Sequence, residues 1–242
     1  MTMKNFWDVV NQVMKRSDII LIVLDARFPE QTLNLELQDK ALEKPIIYVL
    51  NKCDLADKKT LMKFKNKHKN TIYISAKEHQ GTSILLKKIL EVSKGEEVTV
   101  GVVGYPNTGK SSIINALKGR KSAGTSPHAG HTKGKQLIKI TDNVFLLDTP
   151  GVLPYMEKDK SKLGMIGAID PTKMKDPDLA AMELIKNRKN IICKYYDVKE
   201  GSPEKIIENI AIKLKKLIKG GEPNIDETSR TILRDWQRGK IS

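Results

Sequence analysis

An α/β fold with a largely parallel sheet, followed by a small all-α domain, is predicted by three observations. Short apolar runs alternate with helix-patterned segments through the first two-thirds of the chain. One of those runs ends in a glycine-rich loop. Beyond Pro171 the apolar runs give way to helices with explicit start signals. At 242 residues the chain has room for two units, placed here at 1–165 and 166–242.

Taken in order, residues 3–16 carry helical spacing, and 19–24 form an unbroken apolar run of the kind that is buried on both faces of a parallel sheet. A helix at 33–43 is followed by a strand at 46–50 after Pro45, a lysine-rich helix at 57–68, a strand at 71–75 and a helix at 81–93. The run at 98–103 is a strand, and 112–118 is helical in pattern. Segments 135–140 and 143–147, joined by Thr141-Asp142, read as a β pair that could form an antiparallel hairpin at one edge. Asp176-Pro177-Asp178 and Ser202-Pro203-Glu204 each open a helix with a capping side chain, proline in the first turn and acid beside the dipole. The second of these helices places Ile207, Ile210, Ala211, Leu214 and Ile218 on one packing face. A last helix at 227–238 ends at Gly239.

The loop Gly104-Tyr-Pro-Asn-Thr-Gly109-Lys110-Ser111 follows an apolar strand and precedes a helix, the context a phosphate-binding loop needs. Gly104 and Gly109 free the backbone to wrap its N–H groups around a β-phosphate. Asn107, Thr108, Gly109, Lys110, Ser111 and Ser112 line the cradle. Lys110 supplies a point charge, Ser111 a hard oxygen for Mg2+, and the helix its positive end.

Upstream, Asn51-Lys52-Cys53-Asp54 emerges at the carboxyl end of a strand, where ligands of open α/β sheets bind. Asp54 can accept from both N1–H and the exocyclic amine of guanine, a pair of donors that adenine lacks, so the base is assigned as guanine. Asn51 either holds the base edge or braces the phosphate loop, and the Lys52 stem lies along the base. Ser75-Ala76-Lys77 follows the next strand as the loop whose amides face guanine O6. Downstream, Asp148-Thr-Pro-Gly151 follows a strand, with Asp148 assigned to the Mg2+ shell and the Gly151 amide to the γ-phosphate. In the basic loop 129–134, Thr132 is the candidate Mg2+ and γ-phosphate sensor, and Lys110, Thr132 and Gly151 form the candidate catalytic set.

The order of these motifs, base before phosphate, is the reverse of the usual one. Together with Asp25-Ala-Arg27-Phe-Pro29 near the start and Asp235-Trp-Gln-Arg-Gly-Lys240 near the end, it resembles the circularly permuted GTPases of the ribosome biogenesis GTPase A group and its archaeal and nucleolar relatives, within the TRAFAC class. The resemblance covers most of the chain. It implies a P-loop NTPase (Rossmann-like) fold, circularly permuted, with GTP/GDP and Mg2+ as ligands and GTP hydrolysis as the reaction. It further implies a role in assembling the large ribosomal subunit through rRNA or a pre-ribosomal particle. Val152 and Leu153 follow Gly151, so the water-positioning glutamine of other GTPases is missing. Asn107 sits where potassium-dependent relatives place a K+ ligand, with His131 as another candidate for orienting water. Slow intrinsic turnover, stimulated by K+ and by the ribosome, is the expectation. The alternatives are a GTP-dependent RNA-binding scaffold with negligible turnover and a potassium-activated GTPase in tRNA modification.

Charge supports a polyanionic partner: 43 basic against 29 acidic side chains give +14, with a pI near 9.6. Arg230, Arg234 and Arg238, at intervals of four, form either an RNA-facing stripe or a solvated helix face. Aromatic residues make up 5% of the chain, which favours phosphate and shape recognition over base stacking. Two cysteines, Cys53 and Cys193, form no ligand array and suit a reducing compartment. The expectation is a cytoplasmic monomer with no membrane and no DNA partner.

Overall fold

The computed structural model describes residues 3–41, 43–119, 137–148 and 159–241. The chain divides into two compact units, Met1–Tyr155 and Met156–Ser242.

The first unit runs α1 (Met3–Arg16), β1 (Ile19–Asp25), α2 (Pro29–Thr32), α3 (Leu35–Lys40), β2 (Ile46–Asn51), α4 (Lys58–Lys67), β3 (Thr71–Ile74), α5 (Thr82–Val92), β4 (Val98–Val103), α6 (Lys110–Lys118), β5 (Leu137–Lys139) and β6 (Val144–Asp148). Among the described residues the strands form one sheet in the order β3-β2-β1-β4-β6-β5. Every pairing is parallel except that of β5 with β6, which makes the expected antiparallel hairpin at one edge.

Alternation along β1 explains how the sheet is covered. Ile19, Leu21 and Val23 join a core with Leu85 and Ile89 of α5 and with Ile113 and Leu117 of α6. Ile20, Ile22 and Leu24 join a second core with Val10 and Met14 of α1, Leu37 of α3, and Leu61 and Phe64 of α4. A strand buried on both faces calls for an unbroken apolar run: β1 is buried at all seven positions, and the first six are apolar, with Asp25 the one charged residue at its carboxyl end. The helix expected at 33–43 divides instead into α2 and α3. Leu33 leaves the helical region, and the Asn34 side chain starts α3 by accepting from the Leu37 N–H.

The second unit contains α7 (Lys160–Met165), α8 (Pro177–Tyr196), α9 (Pro203–Lys213) and α10 (Ile225–Gln237). The domain boundary expected at 165 falls at the last residue of α7, whose Leu163 and Met165 are buried. Ser202 caps α9 as expected by accepting from the Lys205 N–H. Asp176 makes no side-chain cap on α8, which starts on Pro177 and departs from helical geometry at Arg188. Leu214 and Ile218 do not join the packing face expected of them: α9 ends at Lys213, Lys215 takes a left-handed φ of 54°, and both side chains are exposed.

The terminal Asp235-Trp-Gln-Arg-Gly-Lys240 segment closes α10. Tyr196 donates its hydroxyl to Asp235 Oδ2 at 3.0 Å, Lys240 pairs with Asp235 Oδ1 at 2.9 Å, and Gln237 Nε2 donates to the Ile169 oxygen at 3.0 Å. Burial, then the adjacent Asp235 carboxylate, pushes the Tyr196 hydroxyl pKa well up.

Candidate functional site

The carboxyl ends of β1, β2 and β4 are neighbours in the sheet, and the loops that leave them make the site. Gly104 begins the phosphate loop at φ 148°, where a Cβ would stand 2.4 Å from the Val23 backbone oxygen. Asn107 holds a left-handed φ of 61° at the exposed tip, a conformation that asparagine tolerates better than most residues. Thr108 is buried and donates its hydroxyl to the Tyr105 oxygen at 3.0 Å, closing the loop on itself. Gly109, at φ 94°, is where Asn51 approaches: an added Cβ would stand 2.1 Å from Asn51 Nδ2.

Lys110 opens α6 and turns back into the loop. Its Nζ donates to the Tyr105 oxygen at 2.8 Å and to the Gly104 oxygen at 3.3 Å. Burial pulls its pKa from 10.5 down to about 8, partly offset by the Asp148 carboxylate. Ser111 and Ser112 are exposed in the first turn of α6, among backbone N–H groups that have no partner within the helix. Asp148 ends β6 in register with Val102, which brings its carboxylate to the phosphate-loop end of the sheet.

The base motif leaves β2. Asn51 is buried, and both ends of its amide are used: Nδ2 donates to the Thr108 oxygen at 2.8 Å, and Oδ1 accepts from the Ala76 N–H at 3.1 Å. Of the two roles open to it in the sequence, bracing the phosphate loop is the one the geometry displays. The Ala76 amide, expected to face the base, is directed at Asn51. Ser75 is fully buried, and its hydroxyl accepts from the Glu78 N–H at 3.3 Å. Lys77 is exposed beside Glu78 at 3.8 Å. Asp54 is exposed on the one-turn 3-10 segment Cys53–Leu55. Thr132, His131 and Gly151 lie outside the described residues.

One part of the site carries no role that the sequence motifs assign. Asp25, buried at the end of β1, accepts from the Arg27 backbone N–H at 3.0 Å, Arg27 Nε at 3.0 Å and Arg27 Nη2 at 2.8 Å. It also accepts from Lys52 Nζ at 2.8 Å. Burial opposes its charge, but the Arg27 and Lys52 cations and their hydrogen bonds outweigh it, bringing the carboxyl from 3.8 to about 2. The signal in the sequence is an acid that directly follows the apolar run 19–24, at a strand's carboxyl end; its register with Asn51 is visible only in the fold.

Arg230 does not belong to a solvent-facing stripe. Its guanidinium pairs with Asp226 through Nε at 2.8 Å and Nη2 at 2.9 Å, and it donates to the Pro171 oxygen and, at 3.1 Å, to the Met174 oxygen. Arg238 is exposed and Arg234 half-buried.

A phosphate loop braced by a guanine-type base motif, with the base motif first in the chain, defines a circularly permuted P-loop GTPase. A family model described as RsgA GTPase matches residues 12–155, and the chain belongs to that family. A second model, described as 50S ribosome-binding GTPase, matches residues 99–218. A GTP-binding protein of Methanocaldococcus jannaschii is 42% identical over 245 residues, covering 97% of this chain and 65% of the relative. Nucleolar GTP-binding protein 2 of Kluyveromyces lactis is 33% identical over 255 residues, covering 98% of this chain and 50% of the relative. The chain thus spans between half and two-thirds of the length of these relatives. Among solved structures, GNP-bound YlqF from T. maritima superposes with a TM-score of 0.70 at 26% identity, covering 98% of this chain and 94% of that one.

Proposed function

We propose that the protein binds guanine nucleotide across the base and phosphate loops, hydrolyses GTP to GDP and phosphate, and acts as a nucleotide-gated assembly factor for the large ribosomal subunit. The observation that carries the nucleotide reading is Asn51. One buried amide joins the base motif, the Ser75-Ala76-Lys77 loop and the phosphate loop, so base and phosphate recognition form a single rigid unit. In this reading Asp54 selects guanine by accepting from its N1–H and its exocyclic amine, and the Lys52 stem covers the base. Lys110 meets the β- and γ-phosphates, and the amides opening α6 bind the phosphate oxygens.

Ser111 and Asp148 offer hard oxygens at the phosphate-loop end of the sheet, a donor set that suits Mg2+. Mg2+ held there with Thr132 would neutralise charge on the phosphates. Thr132 and the Gly151 amide are assigned as the sensors of the γ-phosphate. K+ held by Asn107 is the proposed activating group, in place of the side chain that Val152 and Leu153 cannot supply.

The ribosomal part of the proposal is supported by the description of the matched model, by the nucleolar relatives and by the net charge of +14. The second unit is the proposed RNA-contacting part. No described helix is long and apolar enough to cross a membrane. The test is GTP turnover in K+ and in Na+, each with and without large ribosomal subunits. Turnover that rises with K+ and rises again with subunits is expected. Turnover that stays negligible under all four conditions overturns the hydrolase in favour of an RNA-binding scaffold.

A further inference from the structure

The Asp25-Ala26-Arg27 turn does more than end β1. The Ala26 N–H donates to the Asn51 oxygen at 2.8 Å, and the Asp25 carboxylate takes the Lys52 ammonium at 2.8 Å. The turn therefore grips two successive residues of the base motif, one through its backbone and one through a side chain. Lys52 holds a left-handed φ of 62° without being glycine, an uncommon conformation that the two contacts support. Asp25 is itself held in place. Arg27 pairs with it bidentately, and the Asp25 backbone N–H donates to Thr32 Oγ1 at 3.1 Å, so both its side chain and its backbone are held. Lys52 is 22% exposed where Asp25 is 1%, so the ion pair spans from the interior to the open face of the site.

We infer that Asp25 is a positioning residue for guanine recognition: it anchors the Lys52 ammonium so that the aliphatic stem is laid as a fixed wall against the base, with Arg27 holding the anchor. The assignment rests on the guanine-nucleotide reading above. A lysine whose charge is tethered at its tip has few rotamers left, so it contributes contact area without the entropy cost of ordering a free side chain on binding.

The experiment is a double-mutant cycle on release of N-methylanthraniloyl-GDP, using wild type, Asp25→Asn, Lys52→Met and the double variant. Lys52→Met keeps an unbranched stem and removes its anchor point. Each single variant should speed release roughly tenfold, as for loss of one charge-assisted hydrogen bond. The double variant should release no faster than Lys52→Met, and affinity for inorganic tripolyphosphate should stay at the wild-type value in all four. Independent, multiplying effects overturn the assignment, as does equal loss of tripolyphosphate binding, which marks general damage. If Asp25→Asn does not fold, Lys52→Met decides: wild-type release overturns the assignment, and faster release with intact tripolyphosphate binding upholds it. Failure of the wild type to bind the GDP analogue overturns the nucleotide reading and this inference with it.

Discussion

Asn51 Nδ2 donates to the Thr108 backbone oxygen at 2.8 Å, joining the base motif to the phosphate loop across 57 positions of sequence. Asn51→Ala would remove this bond and the one from the Ala76 N–H, leaving two buried backbone groups without their partner. Each unsatisfied group costs about 1–3 kcal/mol, shared between the fold and the nucleotide complex; with the equivalent of one group falling on binding, GDP affinity should drop roughly 10- to 100-fold. Calorimetric titration of the folded variant measures it, and unchanged affinity would remove the brace from the account.

Asp54 is exposed on its one-turn segment, free of the ion pairs that hold Asp25. Asp54→Asn exchanges an acceptor for a side chain that can also donate. Preference should shift from guanine to xanthine nucleotides, with little change in melting temperature. Competition between GDP and XDP for the variant reads the shift directly, and retained guanine preference would take Asp54 out of the base site.

Lys110 lies near a pKa of about 8 because burial disfavours its charge. A bound polyphosphate favours that charge and raises the pKa, so binding above pH 8 must be accompanied by proton uptake. Affinity for GTP should therefore be flat below about pH 8 and fall with rising pH above it. Binding enthalpies in buffers of different ionisation heat should reveal the proton at pH 9. Absence of uptake there would mean that the lysine does not meet the phosphates.

Asp25 gives a prediction in the acid range. Its folded pKa of about 2 lies below the ordinary 3.8, so its ion pairs stabilise the fold fully above about pH 4, and that stabilisation is lost as pH falls toward 2. The contribution is about 2 kcal/mol. Urea unfolding followed from pH 5 to pH 2 should show a decline that is shallower in an Asp25→Asn, Arg27→Gln double variant. Equal slopes would contradict the pairing.

Arg230 and Arg238 should separate cleanly. Arg230→Ala leaves Asp226 and two backbone oxygens without their donor and should cost about 1–3 kcal/mol of stability, whereas Arg238→Ala should stay within about 0.5 kcal/mol. Thermal melts of the two variants decide it. Equal, negligible shifts would return Arg230 to the solvated face.

These cases show what could be read from residue order. The phosphate loop, Asn51 and Asp54 were legible because their chemistry demands particular residue types at fixed spacing, and because each follows a strand whose apolar run marks where it ends. The sheet was legible because β1 is buried on both faces through an unbroken apolar run, Ile19 to Leu24, and β4 is apolar but for Gly101 and the partly exposed Thr99. Contacts set by register or by distant backbone were not. Asp25 meets Lys52 because β1 and β2 pair with Asp25 opposite Asn51, which no local pattern encodes. The spacing of the three arginines suggested a common face, but Arg230 is captured by the Pro171 and Met174 oxygens more than fifty residues upstream. Its partner Asp226, one helical turn earlier, was the readable hint. The end of α9 was missed because the apolar spacing continues through Leu214 and Ile218 while the backbone turns left-handed at Lys215.

The measurement closest to the central claim is steady-state hydrolysis of GTP and of ATP by the wild type beside Lys110→Ala, in K+ and Mg2+. The account predicts slow GTP turnover, little on ATP, and loss of turnover in the variant while its circular dichroism and melting temperature stay those of a folded protein. Equal turnover of the two nucleotides, or undiminished turnover in Lys110→Ala, would contradict it.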